Sequence, residues 1–281
     1  MPNITDVDIL QYALTLEHLE DKFYREGLAN FTLEHFKKAG YDDTFYNNLK
    51  EVSYDETTHV SFLTQALIAA NATPVQECTY AFSVPSVPAF LATASILEGV
   101  GVSAYLGAAA SIMQKAYLTA AGSILTVESR HSAYLRAAGT RQAPFPQAFD
   151  APLTLDQVYT LAAPFIVACP AANGMLPVKA FPVLSLAPEC GGVRSNGTIA
   201  LVAREAVVGA GPWFAAWIGV EGPTFVPATL EGEGRFVTVV PPGFHGQSYV
   251  VVSKQEGCVT DDCVVAGPAV VEVVGANGMA V

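Results

Sequence analysis

Positive charge is scarce in this chain: 14 lysines and arginines stand against 26 aspartates and glutamates, giving a formal net charge of −12. With no basic stripe to neutralise phosphates, an electrostatic grip on nucleic acid is excluded, and an anionic membrane surface would repel the protein. The negative excess serves solubility. Charge of either sign is thin, 14% against 51% hydrophobic residues, so an ionisable group inside an apolar stretch carries information. Cysteine is limited too: five are too few for a disulfide-dense scaffold, and their spacing fits no zinc motif.

A clean membrane-length apolar run is also missing. The longest weakly charged stretch, 87–114, passes the length test for a spanning helix but contains Glu98, Gly99, Gly101 and Gly107. It reads as a bundle helix, which can be apolar on every side when buried. No cleavable leader is read at the start, since Met1-Pro2-Asn3 runs quickly into a polar stretch.

Glu98 is the single charged residue between Val87 and Lys115. An ionised carboxylate in such surroundings needs a cation, a hydrogen-bond network or a proton. The chain offers partners, because Glu98 belongs to a set that occurs twice. The first copy is Glu17, Tyr24, then Glu56 and His59; the second is Glu98, Tyr105, then Glu128 and His131. The offset from Glu to Tyr is the same in both, and each Glu-x-x-His places a carboxylate and an imidazole three residues apart on one helical face. Four helices would thus deliver four carboxylates and two histidines to one place, the ligand pattern of di-iron and di-manganese carboxylate bundles. Glu20 shares the face of Glu17, but the Tyr offset selects Glu17 as ligand and leaves Glu20 beside the site or at the surface. His18 points about 100° away from Glu17.

The segments Leu16–Tyr24 and Leu97–Tyr105 resemble the ferritin-like domain of fungal stress-regulated and sexual-development proteins and plant desiccation-related proteins. The resemblance covers residues 5 to 165 or so. It implies a four-helix bundle holding two iron or manganese ions on Glu17, Glu56, His59, Glu98, Glu128 and His131, with Glu56 and Glu128 as candidate bridges and Tyr24 and Tyr105 bonded to ligand carboxylates or packed beside them. It further implies a ferroxidase, oxidase or peroxide-scavenging reaction on dioxygen or peroxide. Two alternatives stand beside this one. One is a non-enzymatic stress or cell-wall protein; the other is a carrier of a small apolar ligand or pigment, suggested by the room that Gly99 and Gly101 leave beside Glu98. A homodimer is compatible with each.

Four Asn-x-Thr sequons, at Asn3, Asn30, Asn71 and Asn196, use half of the asparagines and point to a secreted, extracellular or cell-wall glycoprotein. Thr after Asn also serves helix caps and turns, which can account for some of them. Cys258 and Cys263 flank a turn-like Val-Thr-Asp-Asp loop and are expected to pair; Cys169 with Cys190 is the other expected bridge, leaving Cys78 over.

Apolar periodicity predicts helices over about 6–28, 33–38, 42–70 and 117–138, one that starts at Pro88 and carries Glu98 and Tyr105, and one more at 154–165. Past residue 171 the pattern becomes short runs rich in Val, Phe, Trp and Tyr between Gly, Pro or Asn signals, which predicts an antiparallel β-sandwich. The expected fold is α+β in two domains, a ferritin-like bundle over 1–170 and an Ig-like sandwich over 171–281. Trp213 and Trp217 are expected in the sheet core, and His245 in solvent.

Overall fold

The computed structural model describes residues 4–277. The chain forms two compact units, Met1–Arg141 with Ala162–Pro177, and Gln142–Leu161 with Val178–Val281.

The first unit is built on four long helices, α1 (Asp6–Asn30), α3 (Asp43–Ala69), α4 (Val87–Ala108) and α5 (Lys115–Tyr134), with the short α2 (Leu33–Lys38) between the first two. Local chemistry sets their starts. Thr5 caps α1 and shares a capping box with Asp8, Asp42 accepts from Phe45 N at 2.8 Å before α3, and Ser86 caps α4 ahead of Pro88. A wider π-type turn, Leu135–Gly139, extends α5. Val87–Ser111 is long and apolar enough to cross a membrane, but 67% of its apolar window is buried within the chain, as a central bundle helix requires.

Two apolar clusters fill the bundle. One contains Phe23, Tyr24, Phe45, Leu49, Phe90, Leu97 and Leu135; the other contains Leu10, Leu14, Leu63, Leu67, Tyr105 and Ile124. Along each long helix the duplicated Glu and His positions fall between members of one cluster and members of the other. The polar residues are therefore enclosed by apolar packing above and below, which excludes water and strengthens every electrostatic interaction among them.

A short ribbon pairs β1 (Thr79–Tyr80) with β2 (Ile166–Ala168), with Thr79 opposite Ala168. That register sets Cys78 beside Cys169, and the two form a disulfide. The expected Cys169–Cys190 bridge is therefore wrong. Cys190 is a free thiol in the second unit, its Sγ accepting from Ala200 N at 3.3 Å. Antiparallel pairing of the crossover with the segment after the bundle decides the partner, and a two-residue strand is too short to stand out in sequence. Cys258 and Cys263 are disulfide-bonded.

The second unit holds α6 (Leu155–Ala162, all but its last residue) and a seven-stranded antiparallel sheet. The strands are β3 (Leu184–Leu186), β4 (Thr198–Ala203), β5 (Trp213–Trp217), β6 (Thr224–Glu231), β7 (Arg235–Val239), β8 (Gly246–Ser253) and β9 (Val264–Val273), in the order β3-β4-β7-β6-β5-β8-β9. The sheet curls until its ends approach: Gly267 N, in β9, donates to Pro182 O just before β3 at 2.9 Å. The result lies between a sandwich and a barrel, with Trp217, Phe236, Val250, Val252 and Val271 in its core. Trp217 is fully buried while Trp213 is half-buried, and His245 turns Nδ1 inward, out of solvent and next to Gly275. Strand β6 escapes the sequence pattern because Pro227 interrupts it, yet Pro227 pairs in register with Phe214.

A domain boundary after residue 170, with the 154–165 helix on the bundle side, does not match this division. Asp156 Oδ1 accepts from Lys179 N at 2.7 Å and Thr160 Oγ1 from Phe181 N at 2.9 Å, so the polar residues of α6 tie it to the chain leading into β3.

Candidate metal centre

The bundle brings both copies of the repeated set together. Glu17 of α1, Glu56 of α3, Glu98 of α4 and Glu128 of α5 are each at most 1% exposed, and His59 and His131 are nearly as buried. One atom from each of Glu17, Glu56, His59 and Glu128 lies within 4.8 Å of the others; the same holds for Glu56, Glu98, Glu128 and His131. The two groups overlap in Glu56 and Glu128.

The imidazoles meet more carboxylates than they can serve as donors. His59 Nδ1 is 3.2 Å from Glu56 Oε2, 3.3 Å from Glu17 Oε2 and 3.4 Å from Glu128 Oε1. His131 Nδ1 is 3.1 Å from Glu56 Oε1 and 3.2 Å from Glu98 Oε2. A ring nitrogen donates one proton at most. Glu17 Oε2, Glu56 Oε1 and both oxygens of Glu128 accordingly lie buried without a directed hydrogen bond. Such atoms are costly unless a cation or a proton satisfies them.

The tyrosines complete a reciprocal arrangement. Tyr24 on α1 donates to Glu98 Oε1 on α4, and Tyr105 on α4 donates to Glu17 Oε1 on α1. Burial and the partner carboxylate push both phenols well above their usual range, so both remain protonated donors. Each leaves its carboxylate's second oxygen turned toward an imidazole, Glu98 Oε2 toward His131 and Glu17 Oε2 toward His59.

Without a cation the cluster must hold protons. Burial, then the charges of Glu56 and Glu98, push Glu128 well above the carboxylate range. Burial and Glu98 raise Glu56 to about 7, against the opposing pull of the two imidazoles. Burial pulls His131 down, but Glu98 and Glu56 outweigh it and lift the ring to about 11. His59 is raised in the same way by Glu128, Glu17 and Glu56.

Two residues at the site exceed the repeated pattern. Glu20 is buried at 5% exposure, and burial followed by Glu128 and Glu56 pushes its carboxyl well up. It is held opposite Gly101, where a Cβ would stand 3.1 Å from Glu20 Oε1 and 2.6 Å from Glu128 Oε2. Gly101 therefore makes room for two carboxylates. Asp55 was not foreseen: its Oδ2 is 3.1 Å from His131 Nε2 and orients that ring with Nδ1 toward the centre. The available signal was its place directly before Glu56, which turns it about 100° around α3. The corresponding residue before Glu128 is Val127, so only one histidine has this support from that position. His18 faces away, its Nε2 3.1 Å from Val75 O.

The donor set is chemically suited to holding a metal ion. It consists of carboxylate oxygens and imidazole nitrogens with no thiolate, as iron and manganese prefer. Five buried carboxylates far outweigh two imidazoles, and the bare oxygens of Glu56 and Glu128 fall where the two groups overlap. A buried acid and histidine cluster compatible with a metal site is thus part of the fold.

Residues 5–141 match the model of the ferritin-like domain family. The helical region of this chain is therefore ferritin-like. Over 181 residues the chain is 28% identical to protein rds1 of Schizosaccharomyces pombe (strain 972 / ATCC 24843), a match covering 64% of this chain and 44% of that protein. The chain thus aligns with less than half the length of this relative.

Asn30, Asn71 and Asn196 are exposed, whereas Asn3 lies outside the described residues. The sequons also have local roles. Thr5 and Thr32 are the N-cap residues of α1 and α2, and Asn71 and Asn196 take left-handed turn conformations at φ 56° and 63°.

Proposed function

We propose that this chain is a secreted, stress-associated ferritin-like protein whose bundle binds two iron or manganese ions and uses them on dioxygen or peroxide, as an oxidase, ferroxidase or peroxide scavenger. The overlap of the two ligand groups in Glu56 and Glu128 carries the reading. Glu17 and His59 would hold one ion, Glu98 and His131 the other, and Glu56 and Glu128 would bridge them. Redox-active ions held by these residues would supply electrons in pairs to an oxygen species. The protein's own part is to fix the ligands through Tyr24, Tyr105 and Asp55, and to keep bulk water out with the two apolar clusters.

Secretion is supported by the two disulfides and the exposed sequons, both at home in an oxidising compartment. Metal content per chain, measured by elemental mass spectrometry on protein from its native host, tests the centre. About two ions per chain are expected, lost in the Glu98→Gln/Glu128→Gln double variant. Absence of metal from the wild type, even after anaerobic reconstitution, would sink the reading. Oxygen and peroxide consumption by the loaded protein then separates the three reactions.

A further inference from the structure

A cavity runs among α1, α3, α4 and α5 from the start of α1 to the carboxylate cluster. Its wall extends along α1 from Asp6 to Glu20, about 21 Å at 1.5 Å per residue, yet its volume is about 40 Å³. A single water needs roughly 10–15 Å³ of such space, so the cavity is long and narrow. Its walls are apolar, and Ala13, Ala104 and Ala121 supply the width by being small. Its inner end is formed by Glu20 and Gly101, the pair that borders Glu128. The two acids on its lining sit at its ends: Asp6, which accepts from Met113 N and Gln114 N at the outer end, and Glu20 at the inner one.

From this geometry we infer that the cavity is the binding site for a slender, uncharged aliphatic molecule, whose inner end is presented to the metal centre beside Glu20. The assignment names the organic substrate of the proposed function and rests on that reading for its chemistry, though not for binding. A narrow apolar tube excludes polar and branched molecules, since neither finds hydrogen bonds or width inside it. Asp6 and Glu20 at the two ends, together with the four other buried carboxylates of the cluster, disfavour an anionic head group. The cavity ends at Glu20, which gives that buried side chain a place in the site beyond the repeated ligand pattern.

The test uses the full-length protein and two probes, 1-decanol and decanoate, in calorimetric titrations, with metal content measured on the same samples. 1-Decanol is expected to bind saturably, decanoate at least tenfold more weakly. Ala121→Phe, which narrows the tube at a half-buried wall, should weaken 1-decanol binding at least tenfold while leaving metal content unchanged. Ile124→Ala widens the same wall and should admit a longer alcohol, which keeps the test decisive if the Phe variant fails to fold. No saturable binding to a protein that holds its metal would overturn this inference alone, as would binding indifferent to both substitutions. Binding that persists in a protein unable to take up metal would sustain the inference and overturn the metal reading.

Discussion

Tyr24 and Glu98 are 74 positions apart in sequence and hydrogen-bonded across the bundle, and the pair Tyr105 and Glu17 repeats the contact in the opposite direction. The exchange holds α1 and α4 in register through two buried carboxylates. Tyr24→Phe and Tyr105→Phe should therefore act alike. Each leaves a buried carboxylate oxygen short of a donor, at about 1.5–3 kcal/mol for a bond to a charged group, and each should weaken metal binding by about 10–100-fold. Equilibrium unfolding and a competitive chelator titration would measure both effects. Unchanged values in either variant would show that the phenols only pack.

The repeat made this part of the site readable, because a Glu-to-Tyr offset recurring in a second helix has few explanations other than a shared geometry. The helices were readable for the same reason, their caps and apolar faces being local. What escaped depends on distant pairing. Cys78 meets Cys169 through a ribbon in which neither strand exceeds three residues, and β6 holds a proline that local rules reject. Glu20 was visible beside Glu17, but the room for its carboxyl comes from Gly101 on another helix, and no reading of α1 alone reports that.

Metal-free protein should lose stability as pH rises. Glu56 keeps its proton to about 7 in the fold but only to about 4.3 in an unfolded chain. His131 keeps its proton to about 11 against about 6.5 unfolded. In both cases the native state binds more protons, so the free energy of unfolding falls with pH, first between about 4.3 and 7 and then from about 6.5 upward, at up to about 1.4 kcal/mol per pH unit for each retained proton. Metal replaces those protons, and the gap between loaded and metal-free melting temperatures should widen from pH 5 to pH 9. Thermal unfolding with and without metal checks this; a metal-free melting temperature that climbs over that range would refute the charge assignment.

Asp55 supports one histidine while Val127 stands at the matching place before Glu128. Asp55→Asn should consequently affect the two ions unequally, loosening the one held by His131 by about 10–100-fold and leaving the other near its original affinity. Stepwise chelation would then show a split in a titration that is more nearly uniform in the wild type. A uniform loss of both ions would mean that Asp55 acts on the bundle as a whole.

Gly101 and Gly122 both sit inside helices, and their contrast isolates what the site requires. An alanine at either position should favour its helix by about 1 kcal/mol. Gly122 has nothing within 4 Å of its missing Cβ, so Gly122→Ala should be stabilising by up to that amount. At Gly101 the added carbon would stand 2.6 Å from Glu128 Oε2, and Glu128 is fully buried beside the other carboxylates of the cluster. Overpacking of this kind costs about 1–3 kcal/mol, which outweighs the helix gain and displaces a carboxylate shared by both ligand groups. Gly101→Ala should therefore lower stability slightly and remove most of the bound metal, while Gly122→Ala keeps all of it. Full metal content in both variants would mean that Glu128 moves freely, and would count against its role as a bridge.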